Sequence, residues 1–505
     1  AILQATSART GGETCIHAAG FVPWAYKYTD FQSPTWAAAG RHEAVPTEWK
    51  YAEILSCFNA YMDADAIGLG AMANASFFQH YPLAERYPQN PKPTRESLQA
   101  RGILNSAGRI VPRNYVAHYV GDYDSAAWIY HQLPRMWQDP ARGTLPLSWA
   151  FNPNLCERFP FGMAWARERR TANDFFVAGD SGAGYLNPGL LTPPRPHSGL
   201  DSGMAVWERH CRRFFSQWDI SLTGFVIDGF GPGLAPEGLD AYARFSPDGI
   251  VAQKVALQGV HQGMPLVRMR GDLPADPREA AQLLRHASRG PAPRFAVFRS
   301  ILQTPTWYAT VQRELQAIAG DQVQLVDLYT LLWLVREYET HREQYARDEF
   351  DTVPEVSVAA GRSHGLDIVY VEDGRFTIEQ AGGQAIWLLP ASPRAQYLYL
   401  DVAASFYSPG RGALDIELEY LDAGPLRIGL EYDSTDTAAA LGGAYKAHPQ
   451  LVQGTGSGAW RKTVFRIDDA RFQGAQNGAA DFRFFYTGDV FQVRSVAVRR
   501  AGTQF

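Results

Sequence analysis

The sequence is poor in cysteine, modest in charge and without a long apolar run. Its 505 residues include four cysteines, none of which form a Cys-x-x-Cys pair: Cys15, Cys57, Cys156 and Cys211. This spacing excludes a zinc knuckle and a thiol redox motif. We expect these cysteines to be buried thiols. One or two disulfides are an alternative if the protein is exported. Because no run of about 18 apolar residues is present, the sequence predicts no membrane-spanning helix.

Positive charge is also scarce. Lys and Arg total 47 against 52 Asp and Glu, so the formal net charge is -5, and nucleic acid is not an expected partner. The first residues, AILQATSARTGGE, have neither an initiating Met nor a signal-peptide core, and they are typical of a mature or trimmed product. We therefore expect a secreted or periplasmic location.

Alternating strand and helix patterns dominate residues 1–345. Short apolar runs such as NYVAHYV, LPLSWAF, DFFVAG and LTGFVID alternate with amphipathic segments. This alternation is typical of βα units around a parallel sheet, and about eight such units favour a TIM-barrel-like α/β domain. A doubly wound open sheet has the same alternation and stays an alternative. Helices are predicted at residues 125–137, 162–170, 204–218, 277–287 and 306–319.

The pattern changes after about residue 345. Residues 346–361 are acidic and polar and are predicted to be a linker. In residues 362–505, short alternating strands such as LDIELEYLD and LRIGLEYD are broken by Gly, Pro and Asp. Turn signals at a spacing of roughly 8 to 12 residues predict an antiparallel β-sandwich. We expect this sandwich to be an accessory domain of the carbohydrate-binding-module type.

Acidic residues follow several of the predicted strands. Asp122 and Asp124 occur in YVGDYDSAAW, Asp180 in FVAGDSGAGY and Asp228 in FVIDGFGPG. In a βα barrel, residues just past the carboxyl ends of strands line a shared mouth. These four acids are therefore candidate catalytic residues, and Glu43, in a loop flanked by Gly and Pro, is a fifth.

Each acid also has a structural interpretation. Asp180 could hydrogen-bond its own loop backbone as a turn-former. Ser125 is placed to cap the following helix. One member of the Asp122 and Asp124 pair could be the cap instead, or the pair could hold Ca²⁺ through its oxygens. Apart from such an ion, no cofactor is expected.

Aromatic and amide side chains near the same mouth are candidates for substrate binding. Aromatic residues make up 13% of the chain, and flat rings beside carboxylates suit the faces of sugars, although most rings fill cores. The candidates are Trp24, Trp149, Asn152 and Tyr185.

Several common catalytic motifs are missing. The sequence has no H-E-x-x-H motif, and its histidines lack a compact ligand spacing. GDSGAGY does not provide the G-x-S-x-G elbow of serine hydrolases, and the glycine cluster matches neither a Walker nor a dinucleotide pattern. Metal-dependent and serine-dependent hydrolysis are therefore less supported than chemistry based on carboxylates.

The segment GAGYLNP resembles the signature of the GxGYxYP family of putative glycoside hydrolases, and the blocks around it follow one another as in that family. Gly182, Gly184, Tyr185 and Pro188 fill the motif positions, whereas Asn187 replaces the second tyrosine. The resemblance covers about residues 20–272. It implies a TIM-barrel-like, sugar-processing enzyme that is often found with sugar-binding modules. No catalytic pair is carried over from the family, so the candidate acids depend on their positions at strand ends.

The sequence thus favours a glycoside hydrolase that acts on an oligo- or polysaccharide through two carboxylates, one as general acid and the other as nucleophile or base. A metal-assisted polysaccharide deacetylase or lyase, with a metal at the Asp122 and Asp124 pair, is one alternative. A catalytically inactive glycan-binding protein is another.

Overall fold

The chain folds into two compact units. The computed structural model describes residues 1–19, 47–63, 75–228, 231–253, 258–288, 292–345, 350, 353–371, 373–403, 405–407 and 409–501. The first unit contains residues 1–281 and 295–340, and the second contains residues 282–294 and 341–505. Each unit is described by itself below.

The first unit alternates strands with helices. Its strands are β1 (Ile16–Ala19), β2 (Ala60–Asp63), β3 (Asn114–Tyr123), β4 (Leu147–Phe151), β5 (Asp174–Val177), β6 (Leu222–Val226), β7 (Gly249–Ala252), β8 (Gly259–His261), β9 (Met264–Asp272), β10 (Arg294–Ile301) and β11 (Val323–Leu325). Its helices are α1 (Ile2–Thr10), α2 (Thr47–Ser56), α3 (Ala75–Phe78), α4 (Arg95–Ala100), α5 (Ala126–Trp137), α6 (Pro160–Glu168), α7 (Met204–Trp218), α8 (Pro236–Phe245), α9 (Pro277–Ala287), α10 (Pro305–Ala319) and α11 (Leu328–Thr340). Short 3-10 helices occur at Pro153–Glu157, Pro188–Leu191 and Gly320–Gln322.

The main sheet of this unit has the strand order β5-β4-β3-β10-β9-β7-β6. β11 pairs with β3 in parallel, β8 pairs antiparallel with β9, and β1 and β2 form a separate parallel pair. A parallel bridge between Ala178 and Thr223 joins the end of β5 to β6, so the parallel strands form a near-barrel. The predicted parallel α/β domain is confirmed, while its more specific assignment as a TIM barrel stays a prediction.

Local sequence signals explain why several elements begin and end where predicted. Helix α10 follows Thr304, whose hydroxyl accepts a hydrogen bond from the backbone N–H of Trp307 at 3.2 Å. Pro305 occupies its first turn, where the missing N–H has no cost. The helices predicted at residues 204–218 and 277–287 are confirmed with the same bounds as α7 and α9. The strands β2 and β7, with four residues each, were not predicted.

The second unit is rich in antiparallel strands. Its elements are α12 (Arg342–Tyr345), β12 (Glu355–Ala359), β13 (Arg362–His364), β14 (Leu366–Val369), β15 (Thr377–Ala381), β16 (Gln384–Leu389), β17 (Ser392–Val402), β18 (Leu414–Leu421), β19 (Leu426–Tyr432), β20 (Lys446–Gln453), β21 (Trp460–Ile467), β22 (Phe482–Gly488) and β23 (Phe491–Arg500). A 3-10 helix occurs at Asn477–Ala479.

Two sheets of this unit share one apolar core. One sheet has seven strands (β12, β13, β15, β16, β18, β21 and β23), and the other has the order β14-β17-β22-β19-β20. Burial alternates strictly along β18, as expected for a strand with one face toward a core. Val356 of the first sheet and Leu398 of the second are fully buried in the same cluster. Strand β12 lies within residues 346–361, the predicted linker. Its backbone pairs with β23 and its apolar side chains enter this core, so these residues belong to the second unit.

The buried His118 of β3 predicts a measurable pH dependence of stability. Burial lowers the pKa of its imidazole to about 3, and its Nδ1 has no hydrogen-bond partner among the described residues. Because an unfolded histidine binds a proton near pH 6.5, His118 should contribute a fall in the free energy of unfolding that approaches about 1.4 kcal/mol per pH unit well below 6.5. We expect His118→Phe to reduce this slope in urea unfolding between pH 7 and pH 4.

His131→Phe is the control, because this side chain is exposed on α5. It should leave the slope unchanged. Identical pH slopes for His118→Phe and the unchanged protein would contradict the assignment of a neutral, buried imidazole.

Candidate functional site

The carboxyl ends of β3, β4, β5 and β6 meet at one edge of the near-barrel. The Asn152 backbone N–H donates to the Tyr123 carbonyl at 3.4 Å, which joins the end of β4 to the end of β3. The Asn152 side-chain amide donates to Asp180 Oδ2 at 2.7 Å, which joins β4 to the loop after β5. The Ile227 N–H donates to Ser181 Oγ at 3.0 Å, which joins that loop to the end of β6.

This continuous arc of hydrogen bonds brings three predicted acids to the same edge. Asp124 follows Tyr123, Asp180 precedes Ser181, and Asp228 follows Ile227. Their exposed fractions are 7%, 5% and 4%, so all three carboxyl groups are largely withdrawn from bulk water. A buried carboxylate requires hydrogen-bonding or charged partners, and Asn152 is one of them for Asp180.

The loop after β5 turns sharply. Asp180 and Ser181 have φ values of 30° and 66°, a left-handed region in which side chains are uncommon. The Ser181 hydroxyl donates to the Leu186 carbonyl at 2.7 Å, while it accepts from Ile227. Such locally strained backbone is often found at functional sites. The serine, however, is fully buried and is used to fix the loop.

The GAGY segment packs directly against β2. The backbones of Tyr185 and Met62 exchange two hydrogen bonds of 2.9 and 3.0 Å. At Gly184 the φ is 136°, and a Cβ atom would lie 2.2 Å from the ring of Tyr61. Glycine is therefore required here both by the backbone conformation and by the close approach of the ring. Asn187, which replaces the second tyrosine of the family motif, accepts a hydrogen bond from the Gly189 N–H at 3.0 Å and begins a 3-10 turn.

Two functional candidates were missed by the sequence analysis. The first is Tyr119 of β3, whose ring lies against Gly224, and whose hydroxyl would lie 3.0 Å from a Cβ atom at Gly179. The phenol thus reaches the edge where Asn152 and Asp180 meet. Because β3 is buried on both faces, its sequence has no alternation that shows to which side of the sheet the Tyr119 ring points.

The second missed candidate is Asp63 at the carboxyl end of β2. Its carboxylate receives hydrogen bonds from Arg158 Nη2 at 2.7 Å and from Asn154 at 3.3 Å, and His17 Nε2 lies 3.2 Å away. Burial alone would lower the pKa of the Arg158 guanidinium, but the adjacent Asp63 carboxylate raises it. The sequence predicted a strand at AIGLGAM, which lies outside the described residues, and it did not predict β2. Asp63, the acid that ends β2, was therefore not among the candidates.

The remaining sequence candidates have different positions. Trp149 is fully buried, donates from its indole N–H to Asp174 at 2.8 Å and packs on Trp137, so it has a packing position and offers no surface to a sugar. Tyr185 is 3% exposed, and its ring centroid lies 6.0 Å from that of Trp49. Trp24, Glu43 and the side chain of Asp122 lie outside the described residues.

The structure shows which residue caps α5 and whether the described residues form a metal-binding cluster. Ser125, rather than an aspartate, caps α5: its hydroxyl accepts from the Trp128 N–H at 3.4 Å. In the part of the chain that the structure describes, no group of three or more His, Cys, Asp and Glu side chains is arranged to hold a metal ion.

All four cysteines are free thiols, and burial raises the pKa of Cys156 to about 11. No helix in the described ranges has both the length and the apolar character needed to cross a bilayer.

The family match agrees with the sequence resemblance. Residues 113–336 match the model of the GxGYxYP putative glycoside hydrolase C-terminal domain. This range extends from β3 to α11 and includes Asp124, Asp180 and Asp228, as well as the GAGY segment. The recognition of the family from the sequence is thereby confirmed, although the matched range begins and ends later than the expected residues 20–272.

The solved structures that match this chain have low sequence identity to it. One is a putative hydrolase from Bacteroides thetaiotaomicron (16% identity, 57% of this chain and 54% of that chain, TM-score 0.43), so the similarity spans about half of that protein. Another is a putative polysaccharide deacetylase from Mycobacterium smegmatis (12% identity, 47% of this chain and 92% of that chain, TM-score 0.31). A third is a carbohydrate binding module from Cellvibrio mixtus lichenase 5A in complex with cellotriose (11% identity, 29% of this chain and 96% of that chain, TM-score 0.16). Among curated proteins, no match is found.

The contact between Gly184 and Tyr61 predicts a large loss of stability on substitution. Gly184→Ala would place a Cβ atom inside the van der Waals distance of the ring in a backbone conformation that alanine avoids, and we expect a loss of about 3 kcal/mol or more. Gly199→Ala is the control, because Gly199 has a φ of 66° and nothing within 4 Å of the added atom. It should cost only about 1 kcal/mol. Equal losses in urea unfolding would show that the Tyr61 contact is not limiting.

Proposed function

We propose that this protein is a glycoside hydrolase that cleaves glycosidic bonds of an oligo- or polysaccharide with two carboxyl groups. The observation that carries the proposal is the meeting of Asp124, Asp180 and Asp228 at one edge of the parallel sheet, linked by the hydrogen bonds of Asn152 and Ser181. The match of residues 113–336 to a family described as putative glycoside hydrolases supports it. A closed TIM barrel around this edge is part of the same proposal.

Asp180 and Asp228 are the preferred catalytic pair. Their neighbours Ser181 and Ile227 are hydrogen-bonded, so the two acids lie on adjacent strand ends. Adjacent strands are about 5 Å apart, which is compatible with the roughly 5 Å or 6.5–9.5 Å that retaining and inverting hydrolases need between carboxyl groups. Asp124 lies beyond Asn152, two strand ends away from Asp180, and is the third candidate.

The two carboxyl groups have different proposed roles. The amide of Asn152 donates to Asp180, and a donated hydrogen bond favours the ionised form of a carboxyl group. We assign Asp180 as the nucleophile or water-activating base. Asp228, withdrawn from water at the end of the apolar strand β6, is assigned as the general acid that protonates the leaving oxygen. This mechanism requires no cofactor.

The second unit is proposed to be an accessory domain that binds or packs beside the glycan. Its two sheets of antiparallel strands around one apolar core support this proposal. A polysaccharide substrate is compatible with a secreted or periplasmic location, which is part of the proposal.

A second candidate function is favoured by one observation. Because the three acids are at most 7% exposed, the edge could belong to a catalytically inactive protein that binds glycans without cleaving them. The distinction between the two functions is experimental.

Replacement of the two preferred acids tests catalysis. We expect Asp180→Asn and Asp228→Asn each to lower kcat/KM by about 10² to 10⁴, because each removes one proton-transfer or nucleophilic group. The measurement is hydrolysis of a panel of 4-nitrophenyl glycosides and soluble polysaccharides, with product stereochemistry read by NMR. Glu168→Gln, at an exposed position of α6, is the matched control and should retain full activity.

Two results would contradict the proposal. Full activity of both aspartate variants would remove these residues from the mechanism. No hydrolysis of any glycan by the unchanged protein, together with glycan binding, would favour the inactive alternative.

A further inference from the structure

Exposed aromatic rings are concentrated at one place in the first unit. The five most exposed aromatic side chains among the described residues are Phe77 (73%), Tyr130 (50%), Phe161 (42%), Tyr81 (39%) and Phe78 (37%). These five residues are called the rim patch below. Most rings in the described ranges are buried, so the grouping of the five exposed ones found there is not expected from composition.

The rings of the rim patch form a connected set. Phe78 and Phe161 are stacked with their centroids 6.2 Å apart, and Tyr81 lies 6.1 Å from Phe161. Phe77 contacts Phe78 at 5.4 Å. The buried ring of Phe159 completes the connection, since it lies 5.7 Å from Phe161 and 6.0 Å from Tyr130.

The rim patch is close to the edge that carries the candidate acids. Phe161 is in the first turn of α6 and Tyr130 in the second turn of α5, and both helices begin just after the carboxyl ends of β4 and β3. Only residues 153–160 separate Asn152, the partner of Asp180, from Phe161. Five of these residues form a 3-10 helix, which rises about 2 Å per residue, so Phe161 lies within roughly 25 Å of Asn152.

The area and the charge of the rim patch limit what can occupy it. With about 200 Å² per aromatic side chain, the exposed fractions add up to roughly 500 Å², below the ~800 Å² per partner that a stable dimer buries. Residues 75–81, ASFFQHY, contain no Lys or Arg, which disfavours an anionic membrane surface. Exposed polar side chains, Gln79, His80 and His131, lie between or beside the rings.

We infer that the rim patch is a binding platform for an extended, uncharged polysaccharide chain that continues into the candidate active site. Flat rings stack on the apolar faces of sugar rings, and the flanking amide and imidazole groups can hydrogen-bond to hydroxyls. This inference rests on the proposed function for the position of the scissile bond. It defines the substrate as a polymer with several sugar units bound outside the catalytic residues.

The test compares binding and hydrolysis in the full chain. The variants are Phe77→Ala/Phe161→Ala and Tyr130→Ala, and the matched control is Ile318→Ala, a 36% exposed side chain of α10 in the same unit but outside the patch. Affinity electrophoresis uses four probes: hydroxyethylcellulose, arabinoxylan, laminarin and glucomannan. Hydrolysis is measured on the same polymers and on 4-nitrophenyl monoglycosides.

We expect the double variant to lose at least about tenfold in affinity for the preferred polymer and Tyr130→Ala about three- to tenfold. KM for the polymer should rise by similar factors, while kcat/KM for the monoglycosides should stay unchanged. Ile318→Ala should leave both polymer affinity and hydrolysis unchanged. Phe161→Trp should retain polymer binding, because a larger flat ring still stacks. The molar mass in light scattering should be the same for all variants.

The inference is overturned if the double variant binds the polymers as tightly as the unchanged protein, if the unchanged protein binds none of them, or if the variants change the oligomeric state. Its failure is distinct from that of the proposed function. Polymer binding that depends on the patch, without any hydrolysis, would overturn the proposed hydrolase and leave the platform intact. Hydrolysis of polymers that is insensitive to the patch would do the reverse.

Discussion

The sharp turn after β5 is the constraint on which the candidate site depends. Within a few residues the chain leaves the sheet, and its backbone then bonds to β6 through Ser181 and to β2 through Tyr185. At the same turn, Asp180 accepts the amide of Asn152 from β4. A single loop therefore connects β2, the end of β4 and the end of β6. The left-handed φ values of Asp180 and Ser181 are maintained because hydrogen bonds and close packing on all sides over-determine the conformation.

Burial gives the acidic edge its chemical character. A carboxylate removed from water loses hydration that only nearby donors can replace, so its protonation state depends on the surrounding groups. Asp63 shows one extreme, because Arg158, Asn154 and His17 surround its carboxylate. Asp180 accepts a hydrogen bond from the neutral amide of Asn152. The two acids thus have different environments, one next to a guanidinium and the other next to an amide.

Aromatic residues are divided between packing and surface in a consistent way. Trp149, Trp137 and Phe151 pack together beneath α5 and α6, where large rings fill the space between sheet and helices. At the beginning of the same two helices, Tyr130 and Phe161 are exposed. The early part of each helix therefore carries one exposed ring, while the core rings lie on β4 and at the end of α5.

The sequence alone determined the order of elements and the change from βα units to antiparallel strands. It also determined that Asp124, Asp180 and Asp228 follow strands. These features depend on local periodicity and on residues adjacent in the chain. Only the tertiary structure decided which side chains reach the shared edge. In a parallel strand buried on both faces, apolar residues do not alternate with polar ones, so nothing in the sequence showed that Tyr119 points to the edge and Trp149 into the packing layer. The pairing of Asn152 with Asp180 and the anchoring of Asp63 by Arg158 join residues 28 and 95 positions apart. Such contacts arise when separate strands are brought side by side, and a single sequence contains no signal for them.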